Sequence, residues 1–180
     1  HFRPISLFDL LDSLKDKKNE LPENAILLTF DDGFREVHDI AAPILIEKKI
    51  PATFFITTNC VNNESICFNN KQSLLIGCQR KNTTNQCYVD DEIHDLIINH
   101  DIPGKSIQEC IRNIPYKKRQ LLDQIATLMG IDFSQYLQEQ KPYLTTTQIR
   151  ELLNNGFTIG GHSLDHARFT ELSLEEQIEQ

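Results

Sequence analysis

Apolar residues recur along this chain with two different periods. Over residues 5–18, Leu7, Leu10, Leu11 and Leu14 return every three or four positions, which predicts an amphipathic helix with Ser6 as its N-cap. Residues 25–30, Ala-Ile-Leu-Leu-Thr-Phe, are a continuous apolar run and predict a strand buried on both faces, as in a parallel sheet. A helix is expected over 36–49, with a break or restart at Pro43, whose nitrogen has no proton to donate. Residues 52–57, Ala-Thr-Phe-Phe-Ile-Thr, predict a second buried strand, and strand, helix and strand at this spacing make a βαβ unit.

The pattern changes in the middle of the chain, which is rich in Asn, Gln and Lys. The spacing there predicts a helix over 115–129, with Pro115 in its first turn. Leu121, Leu122, Ile125, Leu128 and Met129 form its stripe, and Gly130 caps its end. The run Tyr116-Lys117-Lys118-Arg119 falls opposite that stripe and reads as a solvated face. Near Tyr143 the earlier pattern resumes. Thr145-x-x-Gln148 is a capping box, Leu144 and Ile149 suit a hydrophobic staple, and Gly156 stops the helix. Residues 157–159 predict a short strand, and Ser173-x-x-Glu176 opens a last helix. The organisation expected is α/β: a first part over 1–60, a mostly helical insertion over 61–141, and a continuation over 142–180.

Composition narrows the possible functions. The 180 residues carry 18 Lys and Arg against 26 Asp and Glu, a net charge of −8, so neither a nucleic-acid partner nor an anionic membrane surface is expected. No apolar run approaches the roughly 18–20 residues of a membrane span. Five cysteines, Cys60, Cys67, Cys78, Cys87 and Cys110, include no Cys-x-x-Cys pair, which argues against a disulfide framework or a thiolate zinc site. Reduced thiols suit a cytoplasmic protein, where the sequons at Asn63 and Asn82 carry no meaning. The chain opens on His1 without a start methionine or signal core and reads as part of something longer.

Two places carry chemistry. At Thr29-Phe30-Asp31-Asp32-Gly33, adjacent carboxylates stand at a strand end, where repulsion and partial burial call for a cation or an Arg. The competing reading is a turn, with the carboxylates capping the next helix. At His162-Ser163-Leu164-Asp165-His166, two imidazoles stand at i and i+4, a metal-ligating spacing; the competing reading is one capping and one solvated His. Together the two places offer one carboxylate and two imidazoles for a cation, with the other Asp free to act as base. Nitrogen and oxygen donors suit Zn²⁺ best, with Co²⁺, Mn²⁺, Ni²⁺ and Fe²⁺ as alternatives. Asp165 reads as a loop residue or one supporting the ligands from behind. His1 and His38 read as surface residues, and His94 and His100 lie in the insertion.

These motifs resemble the polysaccharide deacetylase family, the NodB-homology domain of carbohydrate esterase family 4. Thr-Phe-Asp-Asp-Gly at 29–33 and His-Ser-x-x-His at 162–166 match its first two motifs. The flanks match as well, at Ala42-Pro43-Ile44-Leu45, at 50–56 and at 156–162, so the resemblance covers about 1–60 and 142–180. It implies a (β/α) barrel, present here in part, and hydrolysis of acetyl groups from N-acetylated sugars. By position it implies Asp31 as catalytic base, Asp32, His162 and His166 as metal ligands, and Ser163 as a support of the loop. The family's later Arg motif and its Leu-x-x-His motif, which carries the general acid, would fall beyond Gln180. Setting aside an insertion of about 80 residues leaves about 100 for the core, less than one catalytic domain. The implied partner is therefore a carbohydrate. The alternative is a non-catalytic carbohydrate binder, or an inactive segment, that keeps the metal site.

Overall fold

The computed structural model describes residues 1–16, 19–79 and 86–180. They divide into two compact units, His1–Ser65 with Gln140–Leu164, and Ile66–Glu139 with Asp165–Gln180.

In the first unit the chain starts as a strand, β1 (Arg3–Ile5), and only then enters α1 (Leu7–Lys15). Ser6 caps the helix as expected: its Oγ accepts the Asp9 N–H at 3.1 Å, while Asp9 accepts the Ser6 N–H at 2.8 Å. The helix begins later than its period suggests because Arg3–Ile5 pair in parallel with β2 (Ala25–Leu27). The last two positions of the expected helix, 17 and 18, lie outside the described residues. Among those of α1, none is buried, and Phe8 and Leu14 are largely exposed.

The run at 25–30 is not the single, doubly buried strand that its composition predicts. It breaks at Leu28 into β2 and β3 (Thr29–Phe30), and β3 turns to a different partner, β4 (Thr53–Ile56). Each piece pairs on one side among the described strands, so β2 is half-buried and Thr29 is exposed. β4 is the central strand of an all-parallel sheet ordered β3-β4-β5, where β5 is Thr158–Gly161. Its Thr53, Phe54 and Ile56 are buried, as the sequence predicts. The strands form two open parallel sheets, with no closed barrel among the described residues.

The connection from β3 to β4 is helical over 37–48. It starts as a π turn, Val37–Ala41, closed by the Ala42 N–H on the Val37 carbonyl, and continues as α2 (Ala42–Lys48). Pro43 explains the widened turn, because it cannot donate back to the Asp39 carbonyl. The last helix of this unit, Thr146–Asn154, leads into β5; it is started by the Thr145/Gln148 capping box and followed by Gly156 at φ 86°. Leu45, Phe54, Ile56, Leu144, Leu152 and Phe157 form the core between helices and sheet, with Ile149 packed against it. Phe54 is its centre, stacked on Phe30 and edge-on to Phe157, each at 5.2 Å.

The second unit is helical. It contains α3 (Phe68–Gln79), α4 (Gln86–Asn99), α5 (Ile107–Asn113), α6 (Gln120–Leu128), most of α7 (Phe133–Gln140) and, counting Thr146–Asn154 as α8, the closing α9 (Leu174–Glu179). Leu75, Ile93, Ile111, Leu122 and Ile125 are wholly buried in its core. Gln72 is buried among them and donates its amide to the carbonyls of Ile111 and Ile114. The expected helix at 115–129 splits into a 3₁₀ turn, Tyr116–Lys118, and α6, closed by Gly130 at φ 66°. That split corrects the solvated reading at Tyr116, while Lys117 and Arg119 are exposed as expected. Three residues per turn swing Tyr116 into the core, edge-on to Phe68, and Lys118 donates to the His100 carbonyl.

Cys60, Cys67, Cys78 and Cys110 carry thiols rather than disulfides, and the Cys87 side chain lies outside those described. The Asn63 amide is engaged by the Tyr143 backbone, donating at 3.3 Å and accepting at 2.9 Å; Asn82 lies outside the described residues. No helix among the described residues is long and apolar enough to cross a membrane.

His38 is not a plain surface residue. Its Nδ1 meets Asp39 and its Nε2 meets Glu151 of α8, each at 2.8 Å. Burial opposes the imidazolium, but the two carboxylates outweigh it and hold the pKa above its ordinary 6.5. A raised folded-state pKa gives stability that is fully present below the unfolded value and fades as pH rises through the folded one. His38→Ala should therefore cost about 0.5–1 kcal/mol near pH 5.5 and less near pH 9. Denaturant melts of both proteins at the two pH values check this, and an equal cost at both would contradict it.

Candidate functional site

The site grows from the end of β3. After Phe30 the chain makes a tight turn in which Asp32 (φ 70°) and Gly33 (φ 76°) are both left-handed. The turn lies over Ile56, the last residue of β4, so closely that a Cβ on Gly33 would stand 3.0 Å from the Ile56 Cγ2. The exit is fixed from the other side: the Gly33 carbonyl accepts the Leu144 N–H at 2.9 Å, Arg35 N–H bonds the Pro142 carbonyl at 2.7 Å, and Phe34 stacks on Tyr143. Asn62 and Asn63 hold the same returning chain, bonding Thr146 and Tyr143. Asp31 is exposed and Asp32 half-buried.

The other half grows from the end of β5. Gly160 passes the Phe55 ring where a Cβ would meet Cδ1 at 2.6 Å, while Gly161 faces open space. The loop beyond is sewn to the chain after β4. His162 N–H bonds the Ile56 carbonyl at 2.9 Å, Thr57 Oγ1 donates to the His162 carbonyl at 3.2 Å, and Thr58 N–H reaches the Ser163 carbonyl at 3.2 Å.

β3 and β5 are two strand spacings apart, about 10 Å, with β4 between them. The turn lying over Ile56 closes that gap: Asp32 Oδ1 comes to 3.5 Å from His162 Nε2. The distance is informative. A hydrogen-bonded carboxylate–imidazolium pair would sit at about 2.7–2.9 Å. Two ligands on one tetrahedral Zn²⁺, each about 2.0–2.1 Å from the ion, stand about 3.3 Å apart. Two donors at this separation could share one cation.

Thus Asp31, Asp32, His162 and Ser163 belong to the first unit. His166 is counted with the second, two residues past Leu164. Within that unit its Nδ1 lies 3.0 Å from the amide nitrogen of Asn69 on α3, and the preceding Asp165 accepts a hydrogen bond from the Tyr116 hydroxyl. Burial first, and then that carboxylate, push the Tyr116 pKa up to about 12. Asp165 is thus a fastening of the loop, in line with its reading from sequence. Nothing in the sequence singles out Asn69, one of many Asn residues in the middle segment.

Asp32, Ser163 and His166 all adopt left-handed backbone, at φ 70°, 61° and 62°. Each such residue costs about 1 kcal/mol or more, and such strain gathers at functional sites.

The family model for polysaccharide deacetylase matches residues 18–180, and the chain belongs to that family. No curated protein and no solved structure matches it.

The turn over Ile56 predicts a contrast between two glycines. Gly33→Ala combines a positive φ with a 3.0 Å approach and should cost about 1–3 kcal/mol; Gly161→Ala meets open space and should stay within about 0.5 kcal/mol. Chemical denaturation of the two variants checks this, and equal costs would contradict the turn geometry.

Proposed function

We propose that this chain is a divalent-cation-dependent deacetylase that hydrolyses the carbon–nitrogen bond of N-acetylated sugars in a polysaccharide or glycoconjugate. The observation that carries the reading is the 3.5 Å spacing of Asp32 and His162 at the carboxyl ends of parallel strands, in a member of the polysaccharide deacetylase family. Asp32, His162 and His166 are the ligands in this proposal, one carboxylate oxygen and two ring nitrogens. That donor set, without thiolate, favours Zn²⁺, with Co²⁺, Mn²⁺, Ni²⁺ and Fe²⁺ as alternatives. When bound, the cation supplies Lewis-acid polarisation of the amide carbonyl and acidifies a water molecule.

The rest falls to the chain's own side chains. Asp31 is the base: it is exposed, one residue from a ligand, and its carboxylate takes the proton of the attacking water. The left-handed backbone at Asp32 lets two neighbouring carboxylates serve different partners, one held as a ligand and one facing solvent and substrate. Ser163 supports His162 through its carbonyl, which is tied to the backbone after β4. Water adds to the acetyl carbon, the carbon–nitrogen bond breaks, and acetate and the amino sugar leave. The proton collected by Asp31 balances the one that the departing amine requires.

Acetate release from an N-acetylated oligosaccharide by the Zn²⁺-loaded chain tests this. Asp31→Asn should lower turnover by about 10²–10⁴-fold with metal content unchanged. His162→Ala should lose the metal itself. Turnover retained in Asp31→Asn would overturn the assigned base, and metal retained without any acetate release would favour a carbohydrate binder.

A further inference from the structure

The middle segment contributes a side chain at His166 that neither motif contains. Asn69 lies in the first turn of α3, and its amide nitrogen stands 3.0 Å from His166 Nδ1. The helix beneath it is well held. Phe68 and Gln72 are buried, Gln72 is bonded to two backbone carbonyls, and Ser73 Oγ donates to the Asn69 carbonyl. Tyr116, from the same segment, anchors the adjacent Asp165. So the chain at 165–166 is fastened twice by residues 66–139.

The amide orientation sets the chemistry. With nitrogen toward the ring, Nδ1 must accept, the proton of a neutral imidazole sits on Nε2, and Nε2 is not in the form that ligates. In this orientation Asn69 Oδ1 is buried without a hydrogen-bond partner among the described residues. Turning the amide half a revolution exchanges two nearly isosteric atoms. It puts the amide nitrogen at the unbonded position in place of the oxygen, so burial does not choose between the two orientations, and the ligating role of His166 does. Oδ1 then accepts a proton held on Nδ1, and Nε2 presents its lone pair. A histidine ligand characteristically gives its other ring proton to a neighbouring oxygen, which fixes both tautomer and ring orientation.

We infer that Asn69 is a positioning residue for His166, its side-chain oxygen holding the proton on Nδ1 so that Nε2 is the ligating nitrogen. This rests on the proposal that His166 is a ligand. It gives the middle segment a defined part in cation binding, separate from any part in substrate access.

The test uses the full chain, with Zn²⁺ affinity measured by chelator competition and the Co²⁺ absorption spectrum as a second readout. Asn69→Ala should weaken Zn²⁺ binding about 10–100-fold and alter the Co²⁺ spectrum. Asn69→Asp, whose carboxylate can only accept, should bind at least as tightly as the parent. Nitrogen NMR of the Zn²⁺-loaded parent should find the His166 proton on Nδ1, which keeps the test independent of how well either variant folds. Parental affinity in Asn69→Ala, an Asn69→Asp as weak as Asn69→Ala, or a proton on Nε2 would each overturn the inference. His166→Ala separates the two levels: unchanged Zn²⁺ affinity there removes His166 from the ligand set, whereas loss there with none in Asn69→Ala removes only the role of Asn69.

Discussion

Ile56 ends the central strand, and the Asp32–Gly33 turn lies directly on it. Because the strands are parallel, β3, β4 and β5 all deliver their next residues to the same edge of the sheet. Adjacent strand ends would keep Asp32 and His162 about 10 Å apart, since β4 stands between them. The turn lying over Ile56 carries Asp32 toward His162, and the two side chains meet at 3.5 Å. That turn needs two successive left-handed residues and no side chain at the second, which is why Asp-Gly stands there. The hydrogen bonds from 142–144 to the turn, and from 56–59 to the His162 loop, hold both halves against the same strand.

What the sequence reveals and what it hides divides along contact range. Helix starts are local chemistry, and the cap at Ser6 and the boxes at Thr145 and Ser173 stand where the sequence puts them. The Asp-Asp-Gly and His-x-x-x-His motifs are legible for the same reason: each is a few residues long and carries its own geometry. Strand identity is less local. The run at 25–30 breaks at Leu28 because its two halves find different partners, one of them β1, hidden just ahead of the first helix. His38 shows the limit, since its partner Glu151 is 113 residues away and no pattern around His38 announces it. Tyr116 was obscured by the cations beside it and by a 3₁₀ turn in place of α-helix. Asn69 has no sequence signal at all; its meaning comes from packing within the helical unit.

Of the nine non-glycine residues with left-handed backbone among those described, three, Asp32, Ser163 and His166, lie in the two motifs that resemble the polysaccharide deacetylase family. A fold chosen only for stability would place glycine at such positions. Keeping Asp and His there is consistent with side chains retained for what they hold.

The proposed function requires a cation held by one carboxylate and two imidazoles, clear of the five cysteines. X-ray absorption at the Zn edge of the fully loaded chain measures this directly. The expected result is a single Zn²⁺ with a first shell of nitrogen and oxygen only, and the outer-shell scattering of two imidazole rings. A sulfur scatterer at about 2.3 Å, or a shell with fewer than two imidazoles, would contradict it.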